Sequence, residues 1–342
     1  MNYVVHICIF VAVLIVYLHV QNHFRSAPSS DVFELDGVVD ARIDDVLDLK
    51  QPVVFRTRTE DALEQEINLH AMQRSHGDVD VSVVDAAKGT RVAVSLDSFT
   101  KLQQASSGAH YYSDGNDAAV QCLSPETRAR VVAHYALLAP PLACVTRYDV
   151  MFGTDGSTSA LRRHVAHRSY FTATNGTLEA KLVHPDQLAD AEFVCRPEVA
   201  PDSMTSTMLA ESGAPPQELF CTRTTEQGAR KMQVKDVTIH KGQTLFVPPY
   251  WGVAFHFSKD AFVLVAKYST YMTEIAASAH TARFWYHKLT ARPAVVPDTH
   301  VSDASVDKSE PKPDASASEP GCSADPVAPS TIADAEKVVE QK

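Results

Sequence analysis

The stretch "KGQTLFVPPYWGVAFHF", residues 241–257, carries two short apolar runs separated by paired prolines and an aromatic pair. Runs of that length, rich in β-branched and aromatic residues and bounded by glycine and proline, read as strands. The flanking segments "MQVKDVTIH" (232–240) and "AFVLVAKYS" (261–269) read the same way. Upstream, "CVTRYDVMF" (144–152) is one strand, and "RSYFTATNGTLEAKLVH" (168–184) reads as a hairpin on Asn175-Gly176, whose residues suit a type I′ turn.

The character changes towards the N-terminus. "PVVFRTR" (52–58) reads as a buried strand and "EDALEQEINLHAM" (60–72) as a helix with apolar residues at helical spacing. "VDVSVVD" (79–85) and "RVAVSL" (91–96) read as strands, followed by a helix near 97–105. Ser124-Pro125-Glu126 starts another helix, with a hydroxyl cap, proline at the first position and an early acid. An amphipathic helix, "YMTEIAASAHTARFWYHKL" (271–289), closes the domain. Helices first and paired short strands afterwards predict a mainly β fold with flanking helices, an antiparallel sandwich or barrel. The domain is expected over 32–290.

Both ends differ from this body. Tyr3–Val20 reads "YVVHICIFVAVLIVYLHV" and holds no formal charge. At the rise of a helix that run spans roughly 27 Å, about the hydrocarbon thickness of a bilayer. With no basic residue before it and no A-x-A site after it, residues 1–25 are expected to be an uncleaved transmembrane anchor rather than a signal peptide. Arg25 follows the span closely, which directs the folded domain to the cytosol. From Pro293 the tail has ten acidic and four basic residues and no aromatic, so 293–342 is expected to be disordered, with a short helix near "TIADAEKVVEQK".

The net charge of −11 argues against a nucleic-acid partner, since phosphate neutralisation needs a basic face. The six cysteines are scattered and contain no C-x-x-C, so neither a disulfide framework nor a zinc site is expected. There is no G-x-S-x-G, P-loop, H-E-x-x-H or G-x-G-x-x-G.

Gly242-x5-Pro248 followed by Tyr250-Trp251 resembles the second motif of cupins and JmjC-like proteins. "GTLEAKLVHP", with Gly176 nine residues before Pro185, resembles the hairpin of the same superfamily. "LKQPVVFRTR" and "VAVSLDSFTKLQ…HYYSDG" are similar to the N-terminal part of cupin-like oxygenases. The resemblance covers about 35–285 and implies a double-stranded β-helix (cupin/JmjC-like) behind one N-terminal transmembrane helix. The whole layout, with "DLKQPVVF", "LRRHVAHRSYF" and "GQTLFVPPYW", resembles membrane-anchored cupin-like proteins of large eukaryotic DNA viruses. That implies a virion or host-membrane component.

Oxygenases of this fold hold Fe(II) with two histidines and a carboxylate on one face. The family's spacing back from Gly176 puts the H-x-D/E pair at Arg163 and Val165, and the distal histidine at Val253. A guanidinium offers no free lone pair and valine no donor atom. The 2-oxoglutarate lysine corresponds to Leu178. His164 and His167 are three apart, so on a regular strand they point to opposite faces. The resemblance therefore implies former metal positions at Arg163, Val165 and Val253, a candidate pocket at Arg163, Leu178, Tyr250 and Trp251, and no metal, cofactor or catalytic residue. Arg163 is expected in the former pocket, paired with Glu179 or Asp149 or with an anion. The expected function is a membrane-tethered, non-catalytic module touching the bilayer through 3–20 and a protein partner or small anionic ligand. The alternative is an Fe(II)/2-oxoglutarate hydroxylase with atypical ligands.

Overall fold

A computed structural model describes residues 2–39, 43–57, 61–105, 110–195, 218–224 and 232–290. The tail at 293–342 and its short helix lie outside the described residues. Helix α1 (Asn2–Phe24) leads into β1 (Phe33–Val39), α2 (Asp44–Leu47) and β2 (Val53–Thr57). Then follow α3 (Asp61–Glu66), α4 (Leu69–His76), β3 (Asp80–Asp85), β4 (Arg91–Ser95), α5 (Leu96–Ala105) and β5 (Tyr111–Ser113). After α6 (Asp117–Gln121) and α7 (Pro125–Ala136) the chain is almost all strand: β6 (Ala143–Gly153), β7 (Arg162–His164), β8 (Arg168–Asn175) and β9 (Leu178–Val183). It continues with β10 (Ala191–Cys195), β11 (Glu218–Thr224), β12 (Val234–Ile239), β13 (Gln243–Val247), β14 (Gly252–Phe257) and β15 (Phe262–Thr270). Two helices, α8 (Tyr271–Ala276) and α9 (Ser278–Thr290), end the described chain.

The strands form two sheets, of nine in the order β1-β2-β13-β8-β15-β6-β5-β3-β4 and of six in the order β10-β11-β7-β14-β9-β12. The centre of the larger sheet is buried on both faces. Phe171, Ala173, Val263 and Val265 point into the space between the sheets, while Tyr170, Leu264 and Ala266 pack under the helices with Leu63, Phe99 and Tyr135. Strands covered twice show unbroken burial, as β8 and β15 do, whereas β9 alternates because one of its faces meets water.

Three sequence expectations change in the structure. The 271–289 helix is two helices, α8 and α9, with Ala277 between them. The 60–72 helix is two helices, α3 and α4, because the Asn68 side chain accepts the Ala71 amide at 2.9 Å and starts a new helix there. The hairpin at Asn175-Gly176 is a corner instead. β8 pairs with β13 and β15, and β9 with β12 and β14, so the turn carries the chain from one sheet to the other. A type I′ turn needs positive φ at both central residues, and here only Gly176 has it, at 66°. A Cβ on Gly176 would also stand 2.8 Å from the Ala261 backbone. The turn at Gly242 (φ 79°) makes the same transfer from β12 to β13.

Among the described residues one helix, Tyr3–Phe24, is long and apolar enough to cross a membrane, with a mean hydropathy of 2.5. Its C-terminal end is fastened to the domain. Phe24 stacks on Tyr250 with ring centroids 5.3 Å apart, the Lys50 ammonium donates to the Asn22 carbonyl, and His184 donates to the Ala27 carbonyl at 2.7 Å.

Candidate functional site

β7 is only three residues long, and its alternation places Arg162 and His164 inward with no solvent exposure while Arg163 turns outward. Arg162 lies opposite Val253 and Arg163 opposite Gly252 on β14. The inward polar position therefore falls on Arg162, one residue from Arg163.

Around Arg162 the two sheets enclose a chain of ion pairs. Its guanidinium meets Asp114 at 2.6 Å and Glu218 at 3.4 Å. Asp114 is gripped from the other side by Arg91 at 2.6 Å. Glu218 also meets the Lys267 ammonium at 2.5 Å and His164 Nδ1 at 3.4 Å. Asp149 completes the group by accepting the amides of Gly115 at 3.0 Å and Asn116 at 2.5 Å. The members come from β4, the turn after β5, β6, β7, β11 and β15, so the cluster needs both sheets. Arg91, Arg162 and Lys267 face Asp114, Asp149 and Glu218, which balances the formal charge inside the cluster.

Burial governs the protonation of these groups. It opposes the Arg162 charge, but Asp114 and Glu218 more than offset it, and the guanidinium pKa lies above its ordinary value. Burial would raise Glu218, yet Lys267, Arg162 and His164 hold it well below the usual carboxylate range. Asp149 is pushed up to about 6, chiefly by burial, with Glu218 and Asp114 adding to it and Lys267 opposing. His164 is pushed down to about 3 by burial despite Glu218, so it is neutral at physiological pH. Arg162 Nε and Nη2 and both His164 ring nitrogens have no hydrogen-bond partner among the described residues. The Arg162 guanidinium instead sits over the rings of Phe220 and Phe255, at 5.4 and 5.9 Å.

The residues singled out in the sequence occupy different places. Arg163 is half-buried over the Phe193 ring at 4.2 Å, and no carboxylate pairs with it among the described residues. Val165 packs with Leu219 and Ala277 in a small cluster that Phe193 and Tyr250 border. Val253, Leu178 and Trp251 are interior core, Trp251 lying edge-on to His184 at 5.0 Å. Leu178 pairs with Phe257 and Val183 with Gly252, so Leu178 stands five residues along β9 from the Arg163 end, roughly 16 Å. The four candidate pocket residues thus do not form one site. Glu179 is exposed on the outer face of β9, and Asp149 serves the Gly115 and Asn116 amides. His256 bonds Thr158 at 3.1 Å from the outer side of β14, and His167 lies beside His23.

The donor set facing the interior does not suit an Fe(II)/2-oxoglutarate site. Arg162 and Val253 cannot ligate iron, and Asp114 and Glu218 already neutralise buried cations. Among the described residues no group of three His, Cys, Asp or Glu side chains is arranged to hold a metal. Sequence reading missed the cluster because Asp114, Glu218 and Lys267 lie far apart in the chain; the one local signal was "RRH" on a strand, whose odd positions share a face.

No protein-family model matches the chain, and no curated protein matches it.

Proposed function

We propose that the chain is a membrane-tethered, non-catalytic double-stranded β-helix of the cupin/JmjC-like kind, acting as a binding or structural component of a cellular or viral membrane, with its folded domain on the cytosolic side. Support for the fold comes from the path of the chain. From β6 onward it crosses back and forth between two layers, β6-β15-β8-β13 against β7-β14-β9-β12, staying in the smaller sheet only from β9 to β12, as a jelly roll allows.

The observation that carries the function is Arg162 opposite Val253. Where an oxygenase of this fold would gather ligands from these two strands, this chain has a guanidinium locked to two carboxylates and an aliphatic side chain. The charge balance of the cluster leaves no surplus positive charge for a small anion, so the favoured partner is a protein surface.

The test is iron analysis of the full-length protein in detergent after incubation with Fe(II) and 2-oxoglutarate. The expected result is no stoichiometric iron and no succinate above the blank. Bound iron with succinate formation would establish the hydroxylase reading instead.

A further inference from the structure

α1 is exposed along its length except on one stripe, where Val16 and Val20 are partly covered and His23 is buried. These positions recur at helical spacing, and α8 is the helix packed against α1. α8 therefore lies beside the last two turns of α1, level with the end of the apolar run. Its outer face presents Tyr271 and Ile275, one turn apart, exposed by 67% and 45%. Beside them Leu142 is 82% exposed, because Ala143 pairs with Thr270, the residue before Tyr271. Leu142 also holds a φ of 61°, an unfavourable conformation for a branched side chain, at the tip of the turn that presents it. Phe24 and Leu49 extend the apolar rim around the base of α1, and Arg25 and Lys50 stand there as cations.

We propose that this rim, formed by Tyr271, Ile275 and Leu142, seats in the headgroup–acyl boundary of the bilayer that α1 crosses. The inference rests on the reading of α1 as a membrane anchor. A tyrosine with an apolar body and a polar tip suits that depth, and aliphatic neighbours supply the burial. Lys50 and Arg25 are placed to meet lipid phosphates. The stem between α1 and the domain has little slack, since Asn22, Phe24 and Ala27 are each held by the domain. The domain therefore stands on the membrane in one posture instead of swinging on a tether.

The test reconstitutes the full chain in phosphatidylcholine vesicles whose acyl chains are brominated near the carbonyl. Tyr271→Trp is compared with Val92→Trp, an exposed position on the edge strand β4, four strands away from β15, with Trp251 and Trp285 as a common background. The added tryptophan at 271 should be quenched at least about twofold more than that at 92. Ile275→Trp reads the same face independently and should behave like Tyr271→Trp. Carbonate extraction is run in parallel. A chain that stays in the membrane while positions 271 and 275 are quenched no more than 92 overturns the seat and leaves the anchor standing. Release by carbonate overturns the anchor, and the seat with it.

Discussion

Arg162 and Asp114 meet at 2.6 Å with both side chains removed from solvent, and Arg91 grips the same carboxylate from the opposite side. Removing one member of such a pair strands a charge that burial has already separated from water. Arg162→Met should therefore lower the unfolding free energy by roughly 3–5 kcal/mol. Arg163→Met loses only the stacking on Phe193 and should cost about 1 kcal/mol or less. Urea unfolding of both variants checks the pair. Equal costs would place the wrong arginine at the centre of the cluster.

Acid should weaken the fold through buried neutral histidine. His164 falls from 6.5 to about 3, so between those values the unfolded chain binds a proton that the folded chain refuses. Its contribution is complete above pH 6.5 and is lost as pH falls towards 3. His134 and His167, both pushed down to about 4 with burial as the main cause, act in the same direction. Asp149, raised from 3.8 to about 6, opposes them, since folding there takes up a proton and that contribution fades as pH rises through the window. From pH 7 to 5 the share of His164 alone is about 2 kcal/mol. Unfolding midpoints across that range should fall in the parent and fall less in His164→Gln; parallel curves would show that His164 does not titrate.

The corner between β8 and β9 is sterically closed. Gly176→Ala adds a Cβ 2.8 Å from backbone at a φ of 66° and should destabilise by about 2–3 kcal/mol. Gly89 has a similar φ, 68°, but nothing within 4 Å, so Gly89→Ala should cost about 1 kcal/mol. Thermal melts of the two variants separate crowding from backbone strain.

The anchor gives a plain biochemical outcome. The full chain should resist carbonate extraction, and a chain starting at Arg25 should be soluble. The shortened chain should lose about 1–3 kcal/mol, because Tyr250 forfeits its ring contacts with His23 and Phe24 and Lys50 its bond to the Asn22 carbonyl. Solubility of both forms would remove α1 from the membrane.

Strand positions were legible in the sequence because a strand is a local pattern. Ser124 caps α7 as its hydroxyl and the following proline imply, and Gly176 and Gly242 turn the chain where glycine was needed. Pairing was not legible. Asn175-Gly176 looks like a hairpin, yet which sheet receives β9 depends on β12 and β14, more than fifty residues downstream. The face of β7 turned on a single residue of register, and a one-residue slip exchanges every inward side chain for an outward one. Nothing local links Glu218 to Lys267 or Asp114 to Arg91. Their partnership exists only once both sheets have formed.

β15 lies between β6 and β8 and is the last strand among the described residues. During synthesis the centre of the large sheet thus stays open until Thr270 has left the ribosome. Pairings this distant in sequence close slowly. Until then the edges of β6 and β8 that β15 covers stay open to neighbouring chains, even when β5 and β13 have taken their other edges. The nascent chain is therefore most open to mispairing at the middle of its large sheet, not at the sheet's rim.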